Sequence, residues 1–79
     1  MDFPDALKEC LQGKRITNEN WNGKGMYVFM LKGDEWGILG ELENTVKMPV
    51  LMMKNAKSEI GPWLISQMDV FSTGWKVVE

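Results

Sequence analysis

One cysteine, in a chain of 79 residues that has no histidine, limits how this protein can hold itself together. A chain this short buries only roughly 60–65% of the surface its unfolded form exposes, which leaves its core marginal. Small domains offset that deficit with disulfides, a structural metal or association between copies. Cys10 is the sole cysteine, so no intrachain disulfide forms. Without histidine, and with a single thiol, a structural zinc site lacks its usual ligands. Association remains, and the side chains suit it. Seven Met and four Trp supply more large, adaptable apolar surface than one small core holds. A homo-oligomer is therefore expected.

The chain shows no apolar run near the roughly 20 residues that cross a bilayer, so no membrane association is expected. Its opening, MDFPDALKEC, carries acids on an amphipathic pattern and does not read as a secretion signal. A lone cysteine suits a reducing cytosol. The net charge of −2 argues against binding a nucleic-acid polymer, which needs a basic field along the phosphate backbone. One small anion held by a few local donors is compatible with it.

Residues 1–79 read as a single α+β domain: an N-terminal helix, a small antiparallel sheet and a short C-terminal helix. Phe3, Ala6, Leu7, Cys10 and Leu11 recur at the spacing of one helical stripe, predicting a helix over 4–12. Pro4 fits its first turn, and Gly13 its left-handed exit. Cys10 lies on the stripe, where packing is its expected role. Strands are predicted at KRIT (14–17), MYVFML (26–31), PVLMMK (49–54) and WKVV (75–78), the last with Trp75 and Val77 on one face. NAKS (55–58) reads as a turn, and EIGPWLI (59–65) as an extended segment broken by Gly-Pro. SQMDVFS (66–72) opens a helix in a capping-box pattern, with Ser66 at N-cap and Asp69 three places on. Residues 32–48 carry three glycines, Gly33, Gly37 and Gly40, without a sustained period and read as a long loop.

The residues for catalysis are few. Without histidine the commonest general base is absent, and neither a Ser-His nor a Cys-His nucleophile can be assembled. The acidic pairs Asp34/Glu35 and Glu41/Glu43 sit in the glycine-bearing loop without His or Cys and read as solvated side chains, not as a metal site. The glycines of 23–40 match neither the phosphate loop nor the dinucleotide fingerprint. A binding or structural protein is expected, with no enzymatic activity, metal or cofactor. Trp21 precedes a glycine turn, and Trp63 follows Gly61-Pro62, which fixes the backbone before the ring. Each ring either caps a small core or offers a stacking platform for a base. Asn22, Lys24, Lys54, Ser66 and Gln67 are the polar groups that could accompany such a platform.

Taken in order, these segments resemble the phage Thoeris anti-defence family of the second type. The matching positions are Gly13 and Lys14 after the helix, the Trp-Asn-Gly-Lys-Gly loop at 21–25, and Met53 with Lys54. Pro62 with Trp63, Ser66 with Gln67, and Trp75 with Val77 and Val78 complete the pattern. The resemblance covers nearly the whole chain. It departs at Leu64 and Ile65, where the family often has polar residues or proline, and residues 32–48 do not align with the pattern, so no pocket residues are carried over there.

The resemblance implies a sponge. Thoeris TIR-domain enzymes answer infection by making glycocyclic ADP-ribose, which activates an NAD-depleting effector. Proteins of this family bind that messenger and withhold it without cleavage, in the cytoplasm of the infected bacterium. They form homo-oligomers, commonly tetramers, with pockets between subunits. Carried over by motif, the ligand-binding residues are Trp21, Asn22, Gly23, Lys24, Gly25, Lys54, Pro62, Trp63, Ser66 and Gln67. Trp21 or Trp63 would stack on adenine. Asn22, Ser66 and Gln67 would bond ribose or phosphate, and Lys24 and Lys54 would offset phosphate charge. Gly23 and Gly25 would let backbone approach the ligand. Two other readings stay open: a module that inhibits a host defence protein by direct contact, and a sponge for cyclic oligonucleotide signals.

Overall fold

Asp2 starts the first helix by accepting a hydrogen bond from the Asp5 N–H at 3.0 Å, and Pro4 occupies its first turn. In the computed structural model, which describes residues 1–35, 37 and 45–78, that helix, α1, runs Phe3–Leu11. It ends where Gly13 takes a left-handed φ of +97°. Strands follow at β1 (Arg15–Asn18), β2 (Tyr27–Leu31), β3 (Val50–Lys54) and β4 (Ile60–Pro62). A one-turn helix, α2 (Gln67–Val70), precedes the last strand, β5 (Trp75–Val78). The segments predicted from sequence are all present, with ends shifted by a residue or two. The extended segment 59–65 is ladder-bonded only over its three-residue strand β4. Within 32–48, Gly33–Glu35 form a short 3₁₀ turn. The rest of that predicted loop lies partly outside the described residues.

The sheet has five strands in the order β4-β3-β2-β1-β5, every neighbouring pair antiparallel. Asn55 closes the β3–β4 connection: its side-chain oxygen accepts the N–H groups of Lys57 and Glu59 at 3.0 and 2.9 Å. Ser58 takes the left-handed conformation there, with φ +63°. The last strand returns to the first, pairing Asn18 with Trp75 and Ile16 with Val77. The chain start is tied to the same place. The Met1 ammonium donates to the Trp75 carbonyl at 2.8 Å, and the Trp75 N–H donates to the Met1 carbonyl at 3.2 Å.

Because strand side chains alternate, one face collects Ile16, Val28, Met30, Leu51, Met53, Trp75 and Val77, and α1 packs there through Ala6 and Cys10. Ala6, Cys10, Ile16, Val28 and Trp75 form the buried core. Asn18 is 3% exposed on this face, and its polar atoms are satisfied. Its Nδ2 donates to Ser72 Oγ at 2.8 Å, and its Oδ1 accepts the Asn20 N–H at 2.9 Å. Gly74 lies against this knot, where a Cβ would meet Glu19, Asn18 and Asn20 within 2.9 Å.

Two consequences follow. Ile16→Ala should cost about 2–5 kcal/mol in urea unfolding, whereas Val46→Ala, at a side chain 93% exposed, should stay within about 0.5 kcal/mol. Burial pushes the Cys10 thiol above its usual value of 9.0. The unfolded chain therefore loses that proton first as pH rises, and stability should fall above the unfolded thiol's range. Cys10→Ala should flatten this part of the unfolding midpoint's pH profile between about 8 and 10, measured against the parent chain.

Candidate functional site

The loop 21–25 and the segment 61–67, far apart in sequence, meet through their tryptophans. Trp21 and Trp63 lie edge to face with ring centroids 6.4 Å apart. Both also pack edge-on against Trp75, at 5.2 and 5.9 Å. Phe3 of α1 closes the group against Trp63 and Trp75. Such pairs contribute about 0.5–1.5 kcal/mol each beyond area burial, so the cluster is a substantial part of a small protein's stability. Trp21 and Trp63 are half-buried, with one part of each ring committed to this packing and part open.

Asp69 anchors two of the rings. Its carboxylate accepts the Trp21 Nε1–H at 3.0 Å, and its carbonyl accepts the Trp75 Nε1–H at 2.8 Å. The capping-box expectation holds in its first half, since Ser66 Oγ accepts the Asp69 N–H at 3.1 Å. The reciprocal half is replaced by the bond to Trp21. A short Asp side chain aimed at an indole cannot also reach back to the N-cap. Gln67 is exposed on α2, which spans a single turn.

The remaining predicted residues divide between this cluster and the other side of the sheet. Asn22 and Lys24 are exposed at the loop tip, and no described residue bonds their side chains. Gly23 packs closely: a Cβ there would come within 2.5 Å of Met26 Sδ and 2.8 Å of the Ala56 methyl. Its need for glycine is met inside the protein, by the loop seating on the β3–β4 turn. Gly25 has φ +73°, a conformation suited to glycine, and its carbonyl accepts from Lys54 Nζ at 2.9 Å. Lys54 pairs with Tyr27 across β3 and β2, on the face opposite α1. Pro62 lies on that same face, paired with Met52.

Two open grooves border these residues. One, of about 310 Å³, runs between the loop and the sheet edge and is lined by Trp21, Gly23, Gly25, Tyr27, Thr17 and Lys76. The other, of about 260 Å³, is lined by Pro62, Trp63, Met53 and the β3–β4 turn. Tyr27, Thr17 and Lys76 were not among the sequence candidates. The alternation of KRIT, MYVFML and WKVV would have placed them on one face, had it been followed across three strands. Neither groove alone is larger than the smallest common ligand pockets, about 300 Å³, by any useful margin. Among the described residues no group of three acidic or thiol ligands converges on a metal-sized site. Cys10, buried with its thiol pKa raised, has the opposite environment from an activated nucleophile.

If Gly23 serves packing, Gly23→Ala should destabilise by about 1–3 kcal/mol. Gly61→Ala, where an added methyl meets nothing within 4 Å, should be neutral or slightly stabilising. Thermal unfolding of the two variants side by side checks this.

Comparison with known proteins matches the chain along nearly its whole length. Residues 1–78 match the Tad2-like family, the Thoeris anti-defense 2-like domain. The protein "Thoeris anti-defense 2" of Bacillus phage SP01 is 33% identical over 84 aligned residues, covering 99% of this chain and 94% of that protein. With the five-stranded sheet, the paired tryptophan segments and this full-length match in hand, the chain belongs to the Thoeris anti-defense 2-like family.

Proposed function

We propose that this protein is an anti-Thoeris sponge, which binds glycocyclic ADP-ribose and withholds it from its effector without cleaving it. The full-length match to the anti-defense family carries this reading. Binding without chemistry suits a chain that has no histidine and keeps its one thiol buried. Its place of action would be the cytoplasm of the infected bacterium.

The physical demand on a sponge is affinity. Holding a signal at nanomolar free concentration corresponds to roughly −12 kcal/mol. Stacking of adenine on a Trp21 or Trp63 face would supply about 1–3 kcal/mol of it. Enclosure and several donors to ribose and diphosphate must supply the rest. A groove of about 310 Å³ open to solvent does not enclose such a ligand, so walls from a second copy are needed. Apolar surface suited to that contact lies beside the cluster: Leu64, Met68 and Phe71 are 93, 86 and 78% exposed. A homo-oligomer, as a tetramer, with pockets between subunits is the assembly proposed.

The same exposed surface supports a second reading, a module that blocks a host defence protein by direct contact. A nucleotide released by heat from the purified protein favours the sponge. A stable complex with a host protein in ligand-free lysate favours the module.

Calorimetric titration with glycocyclic ADP-ribose should give tight binding, with linear ADP-ribose much weaker, and denaturing the complex should return the messenger intact. Equal, weak heats for the two ligands would refute sequestration of this signal. Trp21→Ala, in a protein that still unfolds cooperatively, should weaken capture about tenfold or more. Sedimentation should show an oligomer that Met68→Glu with Phe71→Glu dissociates.

A further inference from the structure

The alternation that buries Ile16, Val28, Met53 and Trp75 sends Arg15, Tyr27, Lys54 and Lys76 to the face that α1 does not cover. The strand registers bring these four together. Lys54 lies opposite Tyr27, Lys76 opposite Thr17, and the Ile16–Val28 pairing sets Thr17 beside Tyr27 and Arg15 beside Phe29. The Arg15 guanidinium carbon is 4.9 Å from the Tyr27 ring centroid, and Lys54 Nζ is 5.5 Å from it. Two cations are thus held around one ring.

No described carboxylate forms an ion pair with them within 4.0 Å, although Glu19 and Glu35 line the neighbouring grooves. The ion pair among the described residues joins Lys14 to Glu9, away from this cluster. Lys54 gives one N–H to the Gly25 carbonyl, which orients its ammonium and leaves its other donors available. Two grooves meet at Tyr27. One holds Lys76, Thr17, Gly25 and Glu19, and the other, of about 370 Å³, holds Arg15, Phe29, Lys32 and Glu35, the last accepting the Lys32 backbone N–H.

We infer that Arg15 and Lys54, held around the Tyr27 ring, and Lys76, across the adjoining groove, form a binding site for the diphosphate of a small phosphate-bearing molecule. Like charges gathered by sheet register repel one another in the free protein, and an anion relieves that repulsion. Arginine presents a planar fork that matches phosphate oxygens, and the lysines add point charges on either side. The tyrosine ring restrains Arg15 and Lys54, which reduces the side-chain freedom lost on binding. The grooves are the size of part of a nucleotide, and a chain of net charge −2 offers no longer basic track for a polymer. The assignment of this diphosphate to glycocyclic ADP-ribose rests on the sequestration proposed above, whereas the anion site itself does not.

Titration of ¹⁵N-labelled protein with inorganic pyrophosphate, ADP-ribose and adenosine tests the site. Pyrophosphate and ADP-ribose should move the amide signals of Arg15, Gly25, Tyr27, Lys54 and Lys76, and adenosine should leave them in place. Arg15→Gln combined with Lys76→Gln, with an unchanged unfolding midpoint, should weaken ADP-ribose binding about tenfold or more. The site is refuted if both phosphate compounds leave these signals still, or if the double variant binds ADP-ribose as the parent does. If glycocyclic ADP-ribose binds parent and double variant equally, the site falls and sequestration stands. If pyrophosphate moves the signals while the messenger gives no heat, the site stands and sequestration falls.

Discussion

Trp75 is the residue on which the rest of the molecule is assembled. It is 2% exposed, and the chain start, β1, the loop 21–25, the segment 61–67 and α2 all converge on it. Its backbone holds the Met1 residue, its strand pairs with β1, its indole N–H reaches the Asp69 carbonyl, and its ring meets Phe3, Trp21 and Trp63. In a chain with no disulfide, that convergence closes the longest loops in the protein. A large flat ring suits the task, because it contacts several neighbours at once while losing only two side-chain torsions on burial. The N–H that would otherwise be stranded in an apolar setting finds a carbonyl, so the burial carries no unsatisfied donor.

That architecture makes the candidate site a by-product of stability. The loop 21–25 is held by Trp21 from below, by Gly23 against Met26 and Ala56, and by Lys54 bonded to the Gly25 carbonyl. Each tether also fixes a group that can meet a ligand. The rings retain open portions, and Asn22 and Lys24 project from a loop whose base cannot easily move. Such preorganisation would matter most under the sequestration proposed above, because ordering a loose loop on binding would subtract from affinity. The same sheet then offers two different surfaces: a dense aromatic face under α1, and a face where apolar residues alternate with Arg15, Lys54 and Lys76.

Smallness shapes the rest. Neither groove encloses a dinucleotide-sized ligand, and Leu64, Met68 and Phe71 stand exposed beside α2. Both features suit the association between copies proposed above, which would bury apolar surface and complete the walls together. A core this limited and a pocket this open are two sides of one deficit in chain length.

Local order in the sequence was enough for the elements. The helical stripe of Phe3 to Leu11, the Ser66 cap and the placing of Trp75 and Val77 on one face depend on neighbours within a few residues. Short-range periods and caps record such neighbours directly. The composition was likewise enough to exclude histidine-based chemistry, and the order of motifs to indicate the family. Other features were not legible there. Asp69 looked like half of a capping box, yet its carboxylate serves Trp21, 48 residues away. Gly23, read as an approach for a ligand, also makes room by its missing Cβ for Met26 and Ala56. Lys54 and Trp63, grouped by chemistry, lie on opposite faces of the sheet, while Arg15 and Lys76 join Lys54 unannounced. Strand order and register decide these partners, and β4-β3-β2-β1-β5 is set by the closing of the whole core, which no local pattern encodes.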